Sequence, residues 1–266
     1  MAGRIRSPVP ESYWHSHLAC LHGCLRHVGV RSTPGWLFGV TGQAFAVADA
    51  SRASDIAPSA GAITALVAKV GGRVEVILSS LMSAPSTDDR AATLTAIQAA
   101  MSAGHACYGR DVAFGGCHCI VACDAGGYHY VETSEGAARR GWTDLSGPTW
   151  VAVVSRCSPA DDVDAIRSGL QAALAGTELL ADAVEGWLDT GAPRRIGDVQ
   201  ERREYAVEFM WEAKERLLGQ HAGLFNVAAE EVDRVARALR TLRAGSIRPA
   251  RERSLPTISA LTRRER

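Results

Sequence analysis

The stretch FGGCHCIVACDAGGYHYVETSEG, residues 114–136, holds three of the chain's seven cysteines and two of its eight histidines. Two chemistries fit such a cluster. Cys117, His118, Cys119 and Cys123 are soft ligands that zinc accepts. Their spacing argues against a metal. On a strand, neighbours point to opposite faces, so Cys117, Cys119 and Cys123 share one face and His118 takes the other. Structural zinc sites favour ligand pairs on turns, and the chain has no Cys-x-x-Cys. No metal and no cofactor is expected. The second chemistry makes His118 a base for a nucleophile supplied by the first helix, since a thiolate is favoured at a helix N-terminus. Glu132, one hairpin strand away, is placed to orient the imidazole.

Other candidates have plainer readings beside them. Trp36 and Phe38, next to glycines, suit a pocket wall or a packed core. Gln43 can donate to a developing oxyanion, or simply be a surface amide. His129 reads as a packed or exposed strand residue. His17, His22 and His27 read as satisfied or solvated helix histidines. Cys107, Cys119, Cys123 and Cys157 read as small buried apolar groups.

These residues need elements to hold them. Residues 13–28 read as a helix, with Leu18, Leu21, Leu25 and Val28 on one stripe, His17, Cys20, Cys24 and His27 on the next, and Gly29 as the stop. Residues 32–48 mix turn signals with a short helix or strand. A helix closed by Gly71 and Gly72 precedes the alternating strand RVEVILSS. STDDRAATLTAIQAAMSAG is a second helix, capped by Ser86 or Thr87 and ended by Gly104. HACYGR, CHCIVACD, GYHYVET and TWVAVVSR read as strands, with DAGG at 124–127 joining the middle two as a hairpin. Helices followed by an antiparallel sheet predict an α+β domain over residues 13–157, after an N-terminal arm at 1–12. Residues 158–245 read as helical, with helices near 161–189, 198–219 and 225–243. Apolar stripes on a charged background give the last two the character of a lid or a homodimer face. A basic tail, 246–266, ends the chain.

The 266 residues carry 29 basic and 29 acidic side chains and are 47% apolar. Zero net charge gives no electrostatic case for a nucleic-acid or membrane partner. No apolar run approaches the roughly 20 residues of a membrane span, and the first residues lack a signal core. The odd cysteine count fits reduced thiols, and the chain reads as cytoplasmic.

In order and motif the chain resembles the papain-like cysteine peptidase fold of the bacteriocin-processing type. It resembles still more the N-terminal domain of the butirosin biosynthesis protein H family. The similarity covers roughly residues 13–156. It rests on LFGVTGQAF at 37–45, on His118 running to Asp124 and Gly126–Gly127, on Glu132 before a glycine-bearing turn, and on GWTDLSGPTWVAVV. The helical remainder resembles that family's C-terminal half more loosely. The resemblance implies a papain-like fold, His118 as base and Glu132 as its orienting acid. It implies thiol-dependent acyl transfer or amide hydrolysis on a small or peptidyl substrate, with an acyl group carried on an acyl carrier protein as one source. One departure stands out. The family's cysteine, counted back from Gly29, falls on Ser16, although His15 before it is kept. Either Cys20, one turn on and on the same face, supplies the thiol, or Ser16 marks a weakened or lost nucleophile. In the second case the protein is a catalytically inactive binding protein on the same scaffold.

Overall fold

The computed structural model describes residues 16–45, 62–80, 82–111, 116–134, 137–147, 149–171, 173–174, 193–217 and 221–244. The expected arm, the first residues of the first helix, the later part of the 161–189 helix and the basic tail lie outside them. The chain divides into two compact units. One is Met1–Ser32 with Asp55–Pro159, and the other is Thr33–Ser54 with Ala160–Arg266.

The first unit is α+β. It contains α1 (Ser16–His27), α3 (Ala62–Lys69) and α4 (Thr87–Ser102). Its strands are β1 (Gly72–Ser80), β2 (Ala106–Asp111), β3 (Gly116–Cys123), β4 (Tyr128–Ser134), β5 (Ala137–Thr143) and β6 (Thr149–Arg156). The helix α2 (Pro34–Val40), between α1 and α3 in the chain, belongs to the second unit. The six strands form one sheet in the order β1-β6-β2-β3-β4-β5, with every neighbouring pair antiparallel.

Local chemistry sets the ends of these elements. Ser86, extended at φ −62° and ψ 164°, accepts the Asp89 N–H on its Oγ at 3.1 Å, and Asp88 and Asp89 fill the first turn of α4. Beyond Ala103, Gly104 takes φ +80°, the left-handed turn that closes a helix cheaply only in glycine. In the β3–β4 hairpin, Asp124 Oδ1 accepts the N–H groups of Gly126 and Gly127 at 2.8 and 3.1 Å. A Cβ on Gly127 would lie 2.2 Å from the Thr143 carbonyl oxygen, so the close pass of β5 requires glycine there.

The sheet is covered on two sides. Residues 17–25 of α1 are all buried, so both predicted stripes are enclosed up to Leu25, while His27 and Val28 at their ends are half-buried. Leu25 packs down on Gly72, where a Cβ would meet its Cδ2 at 2.2 Å. On the other face, Leu94, Ile97 and Ala100 of α4 join Cys107, Ile120, Tyr128, Tyr130, Leu145 and Val151 in one apolar cluster. At about 25 cal/mol per Å² of apolar surface removed from water, such clusters dominate the stability of the unit.

The second unit is helical. It contains α2, α5 (residues 162–171), α6 (Pro193–Arg216) and α7 (Ala222–Ala244). Thr33 caps α2 by accepting the Trp36 N–H at 3.0 Å, with Pro34 in the first turn where its missing donor costs nothing. Trp36, Leu37, Phe38 and Val40 are all buried. Among the described residues no helix is long and apolar enough to cross a membrane.

Candidate functional site

Strand alternation decides the geometry around His118. Cys119 on β3 pairs with Tyr108 on β2, and Tyr108 pairs with Ala152 on β6. This face meets α1. The Cys119 thiol lies 3.6 Å from the Cys20 carbonyl oxygen, His17 Nε2 lies 3.0 Å from the Tyr108 hydroxyl, and the His17 and Tyr108 rings stack at 5.6 Å. Trp150 meets both rings edge-on.

His118 takes the opposite face. It is fully buried, its ring 4.5 Å from that of Tyr130 and 5.6 Å from that of Tyr128. Both tyrosines belong to the cluster that α4 covers. Its Nε2 is hydrogen-bonded to the Tyr128 hydroxyl at 2.8 Å. Its Nδ1 has no hydrogen-bond partner among the described residues. Burial holds the imidazole neutral, pulling its pKa down to about 3, and does the same to His17, down to about 4.

Cys20 is 1% exposed and faces Cys119 and Cys24, not His118. Burial pushes its thiol well above the ordinary range, and so does its hydrogen bond to Cys119. The structure therefore does not bring Cys20 and His118 together, because the sheet lies between them. Ser16 opens α1, and its side chain lies outside the described set.

Glu132 does come to the face of His118. Cys119 pairs with Val131, so the register continues to His118 beside Glu132, which is half-buried and stands opposite Arg139 in the backbone register of β5. The hydrogen bond that fixes the imidazole comes from Tyr128. That partner was missed in the sequence, although the period of two already put Tyr128 and Tyr130 on one face.

Cys123 is not where simple alternation puts it. A bulge between Ile120 and Ala122 shifts the β3–β4 register. The extra residue turns Cys123 away from the face of Cys117 and Cys119, and its thiol lies 3.7 Å from the Leu94 carbonyl oxygen of α4. Among the described residues no group of three or more His, Cys, Asp or Glu side chains is arranged to hold a metal ion.

Trp36 and Gln43 belong to the helical unit and are engaged inside it. Trp36 packs against Phe209 at 5.6 Å, and the Arg216 guanidinium lies over the Trp36 ring at 3.9 Å. Gln43 accepts from Arg202 Nη1 at 3.2 Å through its side-chain and its backbone oxygen alike.

The sheet unit also has an open cleft of about 350 Å³ at the ends of α4, β2 and β3. His27, Gln98, Met101, His105, Cys107 and Cys123 are among its lining residues. No family model, no curated protein and no solved structure matches the chain.

Proposed function

We propose that the sheet unit is a binding scaffold related to the papain-like cysteine peptidases, with Ser16 at the lost nucleophile position, holding a small or peptidyl ligand without turning it over. The observation that carries this reading is the position of His118. A general base must reach the proton it takes and must have a pKa near the working pH. His118 is sealed beneath α4, is bonded to Tyr128, and has its pKa drawn down to about 3 by burial. The α1 thiols sit across the sheet from it, and burial raises the pKa of Cys20 and of Cys24. A neutral buried thiol is a poor nucleophile, so thiol-dependent acyl transfer finds little support in this geometry.

The ligand site that fits the reading is the cleft beside His27 and His105. Its volume is within the range of small-molecule pockets, and it joins apolar walls to a few polar groups. Fold kinship rests on the order of helix, helix and antiparallel sheet, with His118 and Glu132 on neighbouring strands.

Two electrophiles test this. Iodoacetamide labelling followed by peptide mapping across pH 6 to 9 is expected to modify the half-exposed Cys123 and Cys157 first, and to leave Cys20 unlabelled at neutral pH. A fluorophosphonate is expected to leave Ser16 free. Stoichiometric modification of Cys20 or Ser16 at neutral pH, lost in His118→Gln, would restore the enzyme.

A further inference from the structure

Three thiols meet under α1, and the proposed binding function uses none of them. Cys20 and Cys24 stand one helical turn apart on α1, and so on one face of it. Cys119 rises from β3 to meet them, with its sulfur 3.6 Å from the Cys20 carbonyl oxygen. None of the three is more than 1% exposed. The Cys119 side chain is one of the causes that raise the pKa of both Cys20 and Cys24, which puts the three side chains beside one another. Cys24 also reaches the Cys107 carbonyl oxygen at 3.8 Å. All are reduced thiols in the structure.

We infer that this cluster is an oxidation-sensitive clasp, in which Cys119 and one of the two α1 thiols close a disulfide that ties the first helix to the centre of the sheet. Cys119 is the common member, because it alone of the three comes from the sheet and its sulfur reaches the α1 backbone at Cys20. The chemistry requires a small oxidant of the hydroperoxide class. The Cys119 sulfur attacks one peroxide oxygen, the O–O bond breaks, and a sulfenic acid and one water form. The sulfur of Cys20 or Cys24 then attacks the sulfenic sulfur, the S–O bond breaks, and a second water leaves with the thiol proton. Two thiols and one hydrogen peroxide become one disulfide and two waters.

The chemistry favours Cys119 as the first to react. Burial raises its pKa, but the two S–H donors and the nearby His27 outweigh burial and lower it, whereas Cys20 and Cys24 are raised. The bridge would close a loop of nearly a hundred residues, long enough for a large restriction of the unfolded chain. The reduced and oxidised proteins should therefore differ in how firmly α1 is held on the sheet.

The test uses the full chain carrying C123S and C157S, which removes the two half-exposed thiols. Hydrogen peroxide treatment, iodoacetamide quenching and intact-mass measurement should show loss of two hydrogen masses. Fragmentation without reduction should join Cys119 to the peptide bearing Cys20 and Cys24. The oxidised form should unfold several degrees higher than the reduced form, and dithiothreitol should reverse the rise. Adding C119S or C119A should abolish the bridge. C20S or C24S alone should leave it, and both together should abolish it. Melting curves of the reduced variants identify any that fail to fold, and mapping of the parent protein needs no variant in the cluster. A bridge that survives loss of Cys119, or peroxide treatment that yields only sulfinic and sulfonic acids with no cross-link, would overturn the inference.

Discussion

Burial holds the imidazoles of His118 and His17 neutral, and this makes stability depend on pH in a stated direction. Their pKa values are about 3 and about 4 in the folded protein, against about 6.5 in an unfolded chain. Between these values the unfolded state binds more protons, so acid favours unfolding. The stabilisation is complete above pH 6.5 and is lost as pH falls toward 3 to 4. Each imidazole can cost up to about 1.4 kcal/mol per pH unit in that window. Urea unfolding midpoints should change little between pH 7.5 and 6.5 and fall increasingly from 6.5 through 5.5 to 5, above the range where most carboxylates titrate. The double variant His17→Gln, His118→Gln should flatten the profile, and a wild-type midpoint unchanged from pH 7.5 to 5 would contradict the assignment. Tyr128 offers a second check. Tyr128→Phe removes the hydroxyl bonded to His118 Nε2 and leaves the buried imidazole with no partner among the described residues. That should cost about 1–3 kcal/mol, read from chemical denaturation at pH 7.5.

Glycines govern how closely elements approach, and Gly39 on α2 is the sharpest case. A Cβ there would lie 2.1 Å from Phe209 Cγ, inside the core of the helical unit. Gly39→Ala must displace Phe209, which is fully buried, and overpacking of that kind should cost about 1–3 kcal/mol. Thermal unfolding of the variant should show a lowered midpoint, whereas Gly223→Ala, with open space around it, should change little. The same scale shows what could be read from sequence. The helices α1 and α4, a cap at Ser86 or Thr87 (the structure uses Ser86), the stop at Gly104 and five of the six strands follow from period and capping, because those signals are local. The strand β5, AARRGWT, was not legible. It is an edge strand rich in arginine, and edges carry charge in place of the apolar alternation that marks a strand. The bulge near Val121 was invisible for a related reason. One inserted residue changes the face of Cys123 without changing composition. The hairpin turn at 124–127 pairs β3 with β4 and so sets His118 and Glu132 on neighbouring strands. The side of the sheet that α1 would take was not legible, since helix-on-sheet packing depends on non-local contacts.

The division of the whole chain follows from where α2 finds its core. Residues 33–54 lie between two pieces of the sheet unit in sequence, yet they group with the helices after residue 160. The chain passes between the two units at 32–33, at 54–55 and after Pro159, and the first two crossings carry no compositional mark. The partners of α2 show why the segment belongs there. Phe38 packs on Tyr205 at 4.4 Å, Trp36 and Phe45 pack on Phe209, and Arg203 Nη1 donates to the Ala44 carbonyl at 2.8 Å. All of those partners come from α6. A chain ending at Pro159 would keep α2 and lose everything that α6 places over it, exposing Trp36, Leu37, Phe38 and Val40 together. A contiguous apolar patch of that kind promotes association in water. The 1–159 fragment should therefore bind a hydrophobic dye such as ANS strongly and elute as aggregates from size exclusion, while the full chain does neither. Replacing residues 33–54 in that fragment by a Gly/Ser linker should restore solubility, because the remaining segments contain the whole sheet and the helices that cover it. A soluble, dye-silent 1–159 fragment would mean that α2 has a sufficient partner before residue 160, and the division of the chain would have to be redrawn.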